Sequence, residues 1–188
     1  MPKLLVTGGS GFIGKAVCEN LKKKNYKINI TSRRDIIKNS NDVKVYNINE
    51  IDGNTDWFQA LTAVSCIIHC AAKTHMMNND KQNSLSSFRK INVKGTLNLA
   101  KQASACGVKR FIFLSSIKVN GERTEKSSIF RHNDIPKPED SYGKSKWEAE
   151  KGLWEISKQT GLEVVIIRAP LVYGPGVKGN LERLIKII

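Results

Sequence analysis

Short runs of consecutive apolar residues alternate along this chain with longer stretches in which apolar residues recur every three or four positions. "KLLVT" (3–7), "KINITS" (27–32), "VKVYNI" (43–48), "VSCIIHCA" (64–71), "KRFIFLSS" (109–116) and "LEVVIIRA" (162–169) read as strands. "FIGKAVCENLKKKN" (12–25) and "TDWFQALT" (55–62) read as helices, as does "LSSFRKINVKGTLNLAKQASAC" (85–106), which Gly107 stops. A further helix begins at Tyr142 and runs to about Thr160 before Gly161, and "NLERLIKII" (180–188) starts another. Strands alternating with helices predict an α/β fold, a doubly wound parallel sheet covered on both faces. The runs "CIIH", "FIFL" and "VVII" predict strands buried on both sides.

The length of 188 residues fits one domain with a sizeable core. No apolar stretch approaches the roughly 18–20 residues of a membrane span. "MPKLLVTGGSG" enters a strand directly and leaves no room for a signal peptide, so a cytoplasmic protein is expected. The net charge of +14 is dispersed, and aromatics make up 7%, which does not match the basic, aromatic-interleaved stripe of a nucleic-acid binder. Cys18, Cys66, Cys70 and Cys106 fall in apolar segments and are expected to be reduced and buried. Cys66 and Cys70 lie four apart on a strand, roughly 13 Å from each other. His69 between them does not complete a zinc set, so no metal is expected.

Candidate chemistry begins with "VTGGSGFIG", where Gly8, Gly11 and Gly14 stand between the first strand and the first helix. Glycines there allow a tight turn and a close approach of backbone to a pyrophosphate. The helix start at Phe12 and Ile13 adds N–H groups and a positive dipole end. A Rossmann-type dinucleotide site is therefore expected. At the end of the second strand, "ITSRRD" lacks the acid that would take the ribose of NAD. Arg33 stands there instead and favours NADP over NAD, with Asp35 able to fold back.

"SYGKSK" then places Tyr142 and Lys146 four apart on one helix face. A free phenol ionises near pH 10, and a lysine cation beside it favours the phenolate, making Tyr142 a candidate proton shuttle. Ser115 and Ser116 end a strand on the edge where open parallel sheets bind ligands, and either could hold a substrate oxygen.

Taken in order, "TGGSGFIG", "IIHCAAKTH", "INVKGTLNLA", "FLSSIKVNG", "YGKSK" and "IRAPLVYGPG" resemble the extended short-chain dehydrogenase/reductases. Within these the chain is similar to the NAD-dependent epimerase/dehydratase family, which acts on nucleotide sugars. The resemblance implies Tyr142 as general acid/base, Lys146 as its partner and ribose anchor, and Ser116 as substrate donor. It implies cofactor contacts from Glu50 and Ile51 near the adenine, from Ala71, Ala72, Lys73 and Asn92 along the middle, and from Pro170 to Gly174, Val172 included, at the nicotinamide end. It implies an NAD(P)-binding domain over 1–170 and the start of a substrate-binding region over 171–188, truncated at "IKII". Asn180 would be that region's first contact, with Lys118 near the substrate or turned to solvent.

Asn120 stands where the family commonly has tyrosine. "SSIKVNGE", "AAKTHMM" and "YGKSKWEAE" resemble most a subgroup linked to bacterial surface-polysaccharide sugars. That subgroup and Arg33 put a 4-reductase of a UDP-4-keto-6-deoxy-hexosamine ahead of a 4-epimerase with retained NAD. A dehydratase ranks lower, and a cofactor-binding protein without catalysis is the alternative from another class. The resemblance also implies a homodimer through the helices carrying Asn92 and Tyr142.

Overall fold

The structure, a computed structural model, describes residues 2–33, 39–74, 84–124 and 128–177. The predicted helix over 180–188 and the site residues Asp35 and Asn180 lie outside them. In chain order come β1 (Lys3–Thr7), α1 (Phe12–Lys23), β2 (Lys27–Ser32), β3 (Val43–Asn47), α2 (Phe58–Leu61) and β4 (Val64–His69). Next, α3 (Ser84–Phe88), a π-helical stretch (Arg89–Gly95) and α4 (Thr96–Ala105) follow one another directly. β5 (Arg110–Ser116), a 3₁₀ turn (Ile117–Val119), α5 (Ser141–Thr160) and β6 (Glu163–Ala169) complete the series.

All six strands pair in parallel, in the order β3-β2-β1-β4-β5-β6. The direction of the order reverses between β1 and β4, and a doubly wound sheet binds ligands outside the strand ends at that point. The residues that matter therefore follow Thr7, Ser32, His69 and Ser116.

Local chemistry fixes the helix that carries Tyr142. Asp140 caps α5 by accepting the Gly143 N–H at 2.6 Å, and Gly161, at φ 75°, takes the left-handed conformation that ends it. One face of α5 buries Ala149, Leu153 and Ile156 against α4 and the strand residues Leu5, Ile67, Phe111 and Phe113. Each fully buried side chain of this size contributes about 1.5–3 kcal/mol. The other face of the sheet carries a smaller cluster of Val6, Ile28, Ile30 and Val43 under Cys18 of α1.

Three expectations change. "VVII" is not buried on both sides: Val165 and Ile167 are 41% and 47% exposed. Among the described residues β6 is an edge strand, and α1 packs over β1 and β2. Of the cysteines, all free, Cys18 is buried, Cys66 and Cys70 are half-buried, and Cys106 is exposed at the end of α4. The helix predicted over 55–62 shrinks to Phe58–Leu61, because Thr55 spends its side chain on the preceding turn and Asp56 accepts the Phe58 N–H where the helix begins. Among the described residues no helix is long and apolar enough to cross a membrane.

Candidate active site

The loop between β1 and α1 is shaped by missing side chains. Gly8 has φ +68°, and a Cβ added to it would lie 2.9 Å from the backbone of Ala71. A Cβ on Gly14 would come within 2.1 Å of the Gly8 carbonyl oxygen. Gly11 donates its N–H to that same oxygen at 2.9 Å and caps α1 in an extended conformation. The cap has no side-chain hydrogen bond, and the first turn, with Phe12 and Ile13, has no acidic residue. The helix therefore offers N–H groups and its positive end to an anion. A glycine loop packed this closely, leading into a twelve-residue helix with its first N–H groups uncapped by side chains, fits the pyrophosphate of a dinucleotide.

The end of β4 packs against this loop. Cys70 donates its N–H to the Thr7 carbonyl at 3.2 Å, and Ala71 donates to Thr7 Oγ1 at 3.3 Å. Thr7 Oγ1 also meets His69 Nδ1 at 2.6 Å, and His69 Nε2 meets Thr96 Oγ1 at 2.9 Å. Burial, with the charge of Lys146 second, pushes His69 down to about 3, so it is neutral. Ala71, Ala72 and Lys73 follow at the strand's exit, half-buried.

The expected adenine-end residues are more dispersed. Arg33 is exposed directly after β2. Glu50 is paired with Lys90. Ile51 packs onto Gly95, where a Cβ would lie 2.6 Å from Ile51 Cγ2. Pro170 and Val172 are exposed past β6, and a Cβ on Gly174 would lie 3.8 Å from Phe12 Cζ, so this segment passes beside the glycine loop.

Ser116 ends β5, and α5 sets the Lys146 ammonium 5.9 Å from the Tyr142 ring. The two serines separate cleanly. Ser115 is buried and donates to Glu150 Oε1 at 2.5 Å. Ser116 is half-buried and its Oγ accepts the Lys118 N–H at 3.3 Å, which leaves its O–H to donate elsewhere. Lys118 itself is held by two carboxylates, Asp140 Oδ2 at 2.6 Å and Glu122 Oε1 at 2.9 Å.

Asn92, on the π-helical stretch, is buried and engaged on both ends of its amide. It accepts the Lys73 N–H at 2.8 Å and donates to the Lys73 carbonyl and to Ser145 Oγ, each at 3.0 Å. It clamps the exit of β4 to α5. π-helical turns recur at functional sites, and here Asn92 lies on the buried face, four residues from Phe88 and four from Thr96.

Electrostatics correct the expectation that Lys146 lowers the Tyr142 phenol. Tyr142 is pushed up to about 12, by burial first and by Asp140 second, with Lys118 acting downward. Lys146 is 2% exposed, donates to the Leu114 carbonyl at 2.8 Å and lies 4.4 Å over the Phe113 ring. Burial pulls it down to about 7, against the opposing effects of Cys70 and Glu150. Desolvation outweighs the pairwise attraction that the four-residue spacing implied.

Two residues escaped the sequence reading. Glu150, 1% exposed, accepts Arg168 Nε at 3.1 Å and one of its terminal amino groups at 2.7 Å. The signals were present: Glu150 stands at Tyr142 plus eight, on the same helix face, and Arg168 interrupts an apolar strand.

Residues 4–188 match the NAD dependent epimerase/dehydratase family. Over its whole length the chain is 43% identical to a protein of Vibrio cholerae named UDP-glucose 4-epimerase, covering 57% of it. It is 31% identical over 92% of its length to dTDP-D-glucose 4,6-dehydratase of Dictyostelium discoideum, covering 44% of that protein. The crystal structure of UDP-glucuronic acid 4-epimerase from Bacillus cereus in complex with NAD superposes with a TM-score of 0.82 at 26% identity, over 98% of this chain and 61% of that one. The chain thus spans about half the length of the relatives it matches. With the glycine loop, the parallel sheet and the Tyr142–Lys146 helix in that family's order, this chain belongs to the NAD-dependent epimerase/dehydratase family.

Proposed function

We propose that this chain is the cofactor-binding and proton-transferring part of an NAD-dependent nucleotide-sugar 4-epimerase. The observation that supports the reading is that the glycine loop after β1 and Ser116 at the end of β5 lie at the same edge of the parallel sheet, with Tyr142 and Lys146 near the start of α5. The similarity to a protein named UDP-glucose 4-epimerase supports a UDP-hexose as substrate.

A nicotinamide dinucleotide, when bound, takes up hydride from C4 of the sugar and returns it. The backbone of Gly11 to Gly14 would hold the pyrophosphate at the start of α1, with Ile51 and Glu50 toward the adenosine end, Ala71 to Lys73 along the middle and Pro170 to Val172 toward the nicotinamide end. Tyr142 takes the proton from the C4 hydroxyl as that carbon is oxidised and gives it back on reduction. The Ser116 O–H donates to the same oxygen and keeps it in line with the phenol. With its phenol at about 12, Tyr142 holds its proton at neutral pH and needs added positive charge, or loss of the Asp140 charge, to act as a base. Lys146, poised at about 7 and buried, supplies or withholds such a charge within the physiological range.

The test is a chimera in which the remaining residues of the Vibrio cholerae relative follow this chain, assayed for interconversion of UDP-glucose and its C4 epimer. Tyr142→Phe in that chimera is expected to lower turnover by about 10²–10⁴-fold with dinucleotide affinity unchanged. Retained turnover would remove Tyr142 from the mechanism.

A second reading rests on Arg33. Its guanidinium, exposed beyond β2, matches the 2′-phosphate of NADP and favours the 4-reductase expected from the subgroup motifs. A reductase releases its cofactor after each turnover, whereas an epimerase retains it, so the nucleotide that accompanies the purified protein separates the two.

A further inference from the structure

Behind the candidate site lies a buried charged network to which the reaction assigns no task. Glu150 projects from α5 one turn beyond Lys146, and both face β5. Lys146 donates to the Leu114 carbonyl, while Glu150 accepts from the hydroxyl of Ser115, the next residue along the strand. Arg168 on β6 stands beside Ser115 in the strand register and grips both oxygens of Glu150. Its remaining arm donates to Asn120 Oδ1 at 3.1 Å, and Asn120 Nδ2 donates to the Arg131 carbonyl at 2.9 Å. The guanidinium also lies 5.9 Å from the Trp147 ring. One ion pair thus ties together α5, the last turn of β5, β6 and the loop on the far side of Ser116.

We propose that the Glu150–Arg168 pair is a positioning element: by holding Ser115 and Asn120 on either side of Ser116 and Lys118, it sets that segment against Tyr142 and Lys146. Geometry supports this over a merely stabilising role. A pair needed only for stability has no reason to place its hydrogen bonds at the residues flanking a candidate substrate donor, and buried ion pairs often contribute no more stability than well-packed apolar residues. The network also leaves Glu150 as the carboxylate nearest in sequence to Lys146 on the same helix face. The other titratable groups facing Lys146 are His69 and Cys70 on or just past β4 and Tyr142 on α5 itself.

The inference rests on the functional reading only for what the segment serves, so its test reads the segment directly, in the chain as it stands. In Glu150→Gln, backbone amide resonances of Ser116 to Asn120 are expected to move, and the Lys146 ammonium, followed by NMR of its side chain, to deprotonate at lower pH than in the wild type. The sign follows from the loss of a carboxylate that favours the ammonium. Glu150→Asp keeps the charge and is expected to return the Lys146 titration toward the wild-type pH. Because Glu150→Gln leaves Arg168 buried without its partner and risks unfolding, Ser115→Ala serves as the second variant. It cuts only the link to β5, and it too is expected to shift the Ser116 to Asn120 amides with little change in Tm. Unmoved amides in Ser115→Ala, or an unchanged Lys146 titration in a folded Glu150→Gln, would overturn the proposal. If no variant, wild type included, binds a dinucleotide, the functional reading fails while these measurements still decide the positioning claim.

Discussion

Around the glycine loop the site is shaped by what the side chains leave out, whereas between α5 and β5 it is shaped by charged side chains the fold has taken out of water. Gly8 and Gly14 act by having no Cβ, and the groups aimed at a ligand there are backbone N–H groups. Lys146, Glu150 and the largely buried Arg168 act by being present where an apolar residue would pack more cheaply. The first half is broken by adding atoms and the second by removing them. The first therefore behaves as part of the fold, and the second trades stability for chemistry.

Gly14→Ala breaks the contrast most severely. Its methyl group would sit 2.1 Å from a backbone carbonyl oxygen, which no side-chain rotation can relieve. A loss of at least about 3 kcal/mol in unfolding free energy is expected, together with loss of dinucleotide binding. Calorimetry and a cofactor titration check it, and a variant as stable as the wild type would show that the loop is not held as described.

Lys146→Met is expected to act in the opposite direction on stability. The lysine has fallen from 10.5 to about 7 on burial, so the folded state gives up binding energy for its proton. An apolar side chain of similar shape avoids that cost but forfeits the bond to the Leu114 carbonyl. A net gain of about 2 kcal/mol at neutral pH is expected. The pH dependence sharpens the test. Between pH 7 and 10.5 the unfolded chain holds the lysine proton more tightly than the folded chain, so wild-type stability gains from rising pH in that window. In Lys146→Met that gain disappears, and the two chains converge toward the alkaline end. His69, lowered from 6.5 to about 3, gives a separate rise between those values, reduced in Lys146→Met because the Lys146 charge is the second cause of that lowering.

How much of this was legible in the sequence follows the same division. Spacing alone located the glycine loop, because the constraint there is on which positions must lack a side chain, and Gly8, Gly11 and Gly14 state it outright. The parallel, doubly wound sheet was implied by the alternation of apolar runs and helices, whereas its strand order came from the structure. What spacing could not give was direction and depth. Tyr142 and Lys146 share a face, but only packing shows that Lys146 reaches past Tyr142 to Leu114 and is desolvated there. "VVII" could not reveal that β6 is an edge strand, since two-sided apolarity reads the same at either position. Asn92 was expected near the cofactor through the family resemblance alone, and spacing did not show that its amide clamps the exit of β4 to α5. Glu150 and Arg168 escaped notice because only the strand register sets Arg168 beside Ser115, and only packing brings Glu150 to the same serine.

Asp140→Asn should have the smallest effect. Asparagine still caps α5, so stability is expected to change by less than about 1 kcal/mol. Removing the negative charge should bring the Tyr142 phenol down from about 12, since Asp140 is the charge that raises it. Ultraviolet titration against a Tyr142→Phe control checks the direction. An unmoved phenol would leave burial as its only governor.

The most direct measurement is to denature the purified protein and identify any released nucleotide by mass spectrometry, then to titrate the native chain with NAD and NADP. Near-stoichiometric NAD, or a site that takes up NAD in preference to NADP, is the expected result, because an epimerase must keep its cofactor between two hydride transfers. NADP in its place would move the account to the reductase that Arg33 favours. A chain that carries and binds neither would contradict the claim that the glycine loop and the Tyr142 helix form one dinucleotide site.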